Sequence, residues 1–357
     1  MFFKDFRKFE TTLAGRPLVV ETGKMAQLAG GSCLIRYGET EVLCTATMAD
    51  KPREGVDFFP LSVDFEEKLY SVGRIPGSFQ RREGKASEKA TLASRVIDRP
   101  IRPLFPKDMR NDVGVVATVM SVDPDCSPEI TAMIGVSVAI SISAIPWDGP
   151  ISGVSVGLID GEYVINPTEE QRKVSQMAVT VASTKDLVAM IEAGANEVSN
   201  EDMFDGIMYA HKVNQEIVKF IEDIRAEVGK EKNDFPSNDP APEMFEAIKE
   251  FAIDDVKVAL DTDDKRIRDE ALRTPLFTRS STRFIPTISQ RSTIACISFR
   301  SSSFAAGFLT RASVLTDVES TRFVRLTQRL TSSVVFTVQV CSLAVRLSVF
   351  QSQRSDL

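Results

Sequence analysis

Histidine is almost missing from this chain: His211 stands alone among 357 residues. One imidazole excludes a multi-histidine metal site and leaves histidine-centred catalysis with nothing to build on. Cysteine is sparse as well. Cys33, Cys44, Cys126, Cys296 and Cys341 show no C-x-x-C spacing. Neither a zinc site nor a disulfide framework is expected, and reduced thiols in a cytoplasmic protein fit the pattern. No stretch approaches the ~18 uninterrupted apolar residues of a membrane span. The opening MFFKDFR has no apolar run behind its charges, so no secretory leader and no membrane association are expected. A glycine-rich phosphate loop is also lacking.

What is present has globular proportions, 43% hydrophobic and 26% charged residues. The length suits two or three domains at roughly 100–200 residues each. The net charge of −7 hides an imbalance. From Thr274 onward there are ten Arg, no Lys and three acidic residues, so residues 1–273 carry −14 (33 basic against 47 acidic). An acidic body disfavours non-specific duplex binding, and any nucleic-acid contact must come from a local basic feature.

Strands are expected at 17–21, 32–37, 41–48 and 59–65, with a tight turn at Tyr37-Gly38-Glu39-Thr40. A helix is expected to open at Ser87-Glu88 and run to about Asp98, where Pro100 and Pro103 stop it. A β-branched strand follows at 115–122. Ser127-Pro128-Glu129 then starts a helix to about Ser143, with Ser as N-cap. A second hairpin spans 153–158 and 163–166 around Asp160-Gly161, and a further strand lies at 178–182. Residues 187–193, 201–228 and 241–260 show helical periodicity, and 233–240 reads as a linker. The fold class is α+β.

The chemistry concentrates in residues 74–105, RIPGSFQRREGKASEKATLASRVIDRPIRPLF. Between Arg74 and Arg102 there are eight basic and three acidic residues. Arg81 and Arg82 sit beside Phe79 on a loop flanked by Gly77 and Gly84. Guanidinium groups grip phosphate bidentately and an aromatic ring offers a base a stacking surface. The plain alternative is that adjacent loop arginines are solvated, and that arginines at a helix end pair with carboxylates or cap carbonyls.

The runs LAGRPL (13–18), ETG (21–23), REGVDFFPL (53–61), IDRPIRPLF (97–105), SVDPD (121–125), NPT (166–168) and EAGA (192–195) decide between these readings. Continuously from about 9 to 273, the chain resembles the polynucleotide phosphorylase family. The resemblance implies an RNase PH-like domain (ribosomal protein S5 domain 2-like) over 1–232 and a partial all-helical domain over 233–273. It implies polyribonucleotide nucleotidyltransferase activity: 3′-to-5′ phosphorolytic exoribonuclease action on single-stranded RNA, in mRNA degradation and RNA processing. Homotrimeric rings, a wider RNA-degradation complex as partner, Mg²⁺ and inorganic phosphate as co-substrate come with it. By the same resemblance Phe79, Arg81 and Arg82 match the loop that constricts the RNA channel, and Arg99 and Arg102 match RNA- and phosphate-handling arginines. Lys85 and Arg95 are candidates for phosphate contact. Gln80 stands where many relatives carry a second aromatic.

No catalytic or metal-binding residue is assigned. In this family the metal-binding aspartates and phosphate-gripping serines belong to a second RNase PH-like domain. The equivalent strand here reads SQMAVTV (175–181), with Gln176 and Ala178 where Mg²⁺ would want carboxylates. Asp64, Glu66 and Glu67 form an acidic strand end, which reads as a solvated face.

From Thr274 the composition breaks. Ser and Thr make up 27 of 84 residues, Lys, Tyr, Asn, His, Met and Trp vanish, and Gly307 is the only glycine. A disordered basic tail, a fused β domain and translation in the wrong frame compete. Shifted back one nucleotide, codons compatible with 304–326 yield VRRWFLDEGKRVDGRGIDEIRPL, and those for 335–348 yield RVHGSGLFTRGQTQ. Both resemble the start of the family's second RNase PH-like domain, so 274–357 is read as an out-of-frame, disordered tail. The catalytic half and the KH and OB-fold RNA-binding domains are then absent. The alternatives are a non-catalytic RNA-binding or assembly module and, from another class, a small-molecule phosphate enzyme.

Overall fold

The computed structural model describes residues 5–237 except 54, 55, 57 and 78, together with Glu243, Glu246, Glu250, Arg266 and Ile267. The expected helix at 241–260 lies almost wholly outside the described residues, although those three glutamates are helical. The expectation of a disordered tail at 274–357 also lies outside them.

The chain opens with hairpin-linked antiparallel strands β1 (Arg7–Leu13), β2 (Arg16–Thr22), β3 (Gly31–Tyr37) and β4 (Thr40–Met48). Tight links require left-handed backbone: Ala14 and Gly15 take φ of 48° and 75°, and Gly38 takes 58° between Tyr37 and Thr40. β1 was not singled out from the sequence. It is an edge strand with only Leu13 buried, so it carries no alternating apolar signature. β5 (Leu61–Glu67) begins two residues later than expected.

A 3₁₀ turn at Leu69–Val72 and the basic loop lead into α1 (Glu88–Ile101), whose N-cap Ser87 accepts from the Ala90 N–H. The expected stop at Asp98 is corrected: Pro100 lies inside the helix. It falls in the last turn, where its missing N–H and ring disturb only the preceding turn. The helix's terminal Ile101 carbonyl accepts from the Trp147 indole N–H at 3.0 Å. β6 (Val113–Ser121) inserts antiparallel to β4 and parallel to β5, completing the sheet order β1-β2-β3-β4-β6-β5.

α2 (Pro128–Ile142) has Ser127 as N-cap, as expected. Residues 130–142 are all buried, because the helix is covered on opposite sides by β3 and β4 and by the following strand, β7 (Ser152–Ile159). A Cβ at Gly135 would lie 2.6 Å from both Cys44 Sγ and Ile35 Cγ2, so hydrogen is the only side chain that fits there. β8 (Glu162–Ile165), the short α3 (Glu169–Val174), β9 (Met177–Ser183) and β10 (Val188–Ala195) complete an antiparallel sheet of order β10-β9-β7-β8. α4 (Asn200–Val228) packs on β7, β9 and α2.

β10 corrects the helical expectation at 187–193. The Thr184–Leu187 turn returns the chain onto β9, and cross-strand pairing from Val188 to Ala195 overrides the local pattern. The architecture is α+β, with α2 at its centre.

Candidate nucleic-acid interface

The basic loop is fastened at its base. Gly73, in the left-handed region at φ 69°, ends the 3₁₀ turn, and Arg74 N–H donates to the Leu69 carbonyl at 3.0 Å. The returning end comes back to the same residue: Leu69 N–H donates to Glu83 Oε1 at 2.7 Å. Lys68 Nζ lies 3.6 Å from Glu83 Oε2 and 2.8 Å from Glu66 Oε2. Its bond to Glu66 is the main cause that raises the ammonium above the ordinary lysine pKa. Ser87 Oγ donates to Glu67 Oε2 at 2.9 Å. The acidic end of β5 is therefore exposed, as expected, and also holds the two feet of a loop whose ends meet.

Between those feet the described residues are mostly exposed. Phe79 has a relative exposure of 104% and Ile75 of 72%. Ile75, Pro76, Gly77, Phe79 and Arg81 line one open groove of about 610 Å³. Arg81 has φ 50°, a left-handed conformation uncommon for a residue with a side chain. Arg82 and Lys85 follow, both exposed.

On α1, Arg95 and Arg99 are exposed and one turn apart. Arg99 Nη1 reaches Glu192 Oε2 at 3.3 Å, an open pair with side chains 56% and 54% exposed that water and salt weaken readily. Arg102 is committed more firmly. Its Nε and Nη2 grip Asp98 at 2.9 and 2.8 Å, and Nη2 also donates to the Leu61 carbonyl at 3.2 Å. The structure thus gathers Phe79 and Arg81 round one groove and lays Arg95 and Arg99 along one helix. Arg102 is tied into the junction between α1 and β5.

A cavity of about 440 Å³ opens under α1, lined among others by Val96, Asp125, Glu129, Arg172, Ala178 and Glu192. Its carboxylates are occupied. Asp125 Oδ1 accepts from the Glu169 N–H at 2.9 Å, and Glu192 faces Arg99. Burial opposes ionisation of Glu129, but the Ser127 hydroxyl at 2.6 Å and Lys89 outweigh it and hold the carboxyl below its ordinary pKa. Ala178 contributes no ligand atom. Among the described residues no three His, Cys, Asp or Glu side chains converge on a metal-sized site. No described helix is long and apolar enough to cross a membrane.

A family model described as 3′ exoribonuclease family, domain 1, matches residues 14–146, and its domain 2 model matches 149–213. The first covers β2 to β6 of the six-stranded sheet with α1 and α2; the second covers the four-stranded sheet and the start of α4.

The chain belongs to the 3′ exoribonuclease family.

Its N-terminal three quarters are homologous to bacterial polyribonucleotide nucleotidyltransferases. The protein of that name from Ruminiclostridium cellulolyticum is 60% identical over 264 residues, which is 74% of this chain and 38% of the relative. The one from Lachnoclostridium phytofermentans is 57% identical over 269 residues, 75% of this chain and 38% of the relative. The Clostridioides difficile protein is 56% identical over 266 residues, covering 74% and 38%. The chain therefore spans 38% of the length of these relatives. Rice Rrp46 overlays at TM-score 0.47 and 15% identity, covering 62% of this chain and 95% of that one, too loosely to support an argument.

Sequence reasoning overlooked the loop's fastening. Glu83 is the only acidic residue between Arg74 and Ser87, and that isolation was the available signal.

Proposed function

We propose that this chain handles single-stranded RNA for 3′-to-5′ phosphorolysis, as the first RNase PH-like part of a polyribonucleotide nucleotidyltransferase. The observation that carries this reading is the fastened loop, which offers an uncovered Phe79 beside Arg81 on an otherwise acidic body. A base stacked on such a ring is held by about 1–3 kcal/mol whatever its identity. Arginines beside it neutralise phosphates without reading sequence. Together these suit a strand that must slide.

In phosphorolysis an oxygen of inorganic phosphate attacks the terminal phosphodiester, and the 3′ nucleotide leaves as a diphosphate. The part assigned to this chain is to grip the strand upstream of that bond. Lys85, Arg95 and Arg99 extend the cationic track, and Arg102 braces the α1–β5 junction beneath it. Gln176 and Ala178 offer no carboxylate, so Mg²⁺ and bond-breaking are assigned to a second RNase PH-like half. On this reading the protein works in the cytoplasm, in a homotrimer and a wider RNA-degrading assembly. We read residues 274–357 as an out-of-frame continuation. Relatives matched over 264 and 269 residues support this, and sequencing the gene across codons 272–275 tests it.

The purified chain, given poly(A), inorganic phosphate and Mg²⁺, is expected to bind the polymer and release no ADP. Sustained phosphate-dependent ADP release would overturn the assignment of catalysis to a missing half.

A further inference from the structure

We propose that Glu83 is a positioning residue: it fastens the returning end of the basic loop to Leu69 and so sets where Phe79, Arg81 and Arg82 present themselves to RNA. The inference rests on the RNA-binding reading of that loop and goes beyond it. It assigns a role to a carboxylate whose charge, taken alone, opposes the polyanion.

Leu69 uses both of its backbone groups on the loop. Its carbonyl accepts from Arg74 N–H at 3.0 Å, and its N–H donates to Glu83 Oε1 at 2.7 Å. The outgoing and returning ends are thereby closed on one residue. Lys68, 3.6 Å from the other carboxylate oxygen, neutralises Glu83 locally. Without this fastening a loop with an uncovered tip samples many arrangements, and binding must then order it. Arg81 is where that would show first. Its left-handed backbone, φ 50°, persists only while the surrounding chain holds it.

Two opposite signs separate this role from simple electrostatics. If Glu83 were only a negative charge beside two arginines, removing it would strengthen RNA binding. If it positions the loop, removing it weakens binding despite the favourable change in charge.

Glu83→Ala and Glu83→Gln are compared in the full chain by two measurements. One is the rate of tryptic cleavage after Arg81 and Arg82 without RNA. The other is the affinity for fluorescein-labelled oligo(A). Glu83→Ala is expected to cleave roughly fivefold faster and bind roughly fivefold more weakly, the ratio that the net loss of one ordinary hydrogen bond sets. Glu83→Gln is expected to cleave like wild type and to bind at least as tightly. Its amide oxygen still accepts from Leu69 N–H, and Lys68 keeps its shorter bond to Glu66.

Tighter RNA binding by Glu83→Ala, unchanged cleavage, or a Glu83→Gln variant as impaired as alanine would each overturn the proposal. If wild type itself fails to bind oligo(A), the RNA reading falls, and with it the presentation of the loop to RNA. The cleavage rates then decide separately whether Glu83 fastens the loop.

Discussion

Replacing Arg81 and Arg82 together by alanine should change how RNA binding depends on salt, as well as how tight it is. Arg81 lines the groove that holds Phe79, and Arg82 follows it as an exposed residue. Each phosphate neutralised on a single strand contributes about 0.7 to the slope of log K against log salt, so losing two contacts should flatten it by about 1.4. Between 50 and 200 mM salt, a fourfold change, wild type should therefore lose about sevenfold more affinity than the double variant. Anisotropy of fluorescein-labelled oligo(A) over that range measures both slopes. Phe79→Ala is the matching control, since it removes stacking and no charge: weaker binding with an unchanged slope is expected. Parallel slopes for wild type and the double arginine variant would refute the claim that these two residues meet phosphates.

Other consequences concern the body of the fold. His211 is buried in α4, and burial, opposed by Asp186, pushes its imidazole below the ordinary histidine pKa. The Gln215 amide donates to the Lys185 carbonyl at 2.8 Å and lies 3.3 Å from His211 Nε2, which suits a neutral ring accepting there. Because the unfolded chain takes up this proton first, the contribution to stability is complete above about pH 6.5 and is lost as pH falls below it. The lone histidine resonance should titrate below that value; a midpoint above it contradicts the assignment. Gly135→Ala should destabilise by about 1–3 kcal/mol, because its Cβ would press on Cys44 and Ile35. A urea midpoint equal to wild type would show that α2 does not lie as close to β3 and β4 as described.

The central helix was legible because its signals agree at every level. Ser127 caps, Pro128 fits the first turn, and residues 130–142 carry only apolar or small uncharged side chains, which suits cover on both sides. The hairpins were legible through Gly38 and Asp160-Gly161, whose turns leave few alternatives. β10 was not, because its identity comes from pairing with β9, a tertiary cause that local periodicity cannot report. Pro100 misled because the rule against helix-interior proline relaxes in the last turn, and the Trp147 bond that seals that end comes from 46 residues away. At the candidate interface the basic residues were visible as a cluster, but their engagements were not. Arg102 binding Asp98 one turn back is the pairing a helix permits at that spacing. Glu83 meeting the backbone of Leu69 depends on how a loop closes, which spacing does not specify.

Photocrosslinking bears most directly on whether the fastened loop grips the strand. Oligo(U) carrying 5-iodouridine is bound at low salt and irradiated, and the attached peptides are located by mass spectrometry. The account predicts attachment at Phe79, suppressed by excess unlabelled poly(A) and by 200 mM salt. Crosslinks confined to other surfaces such as α4, with the peptide bearing Phe79 unmodified, would contradict it.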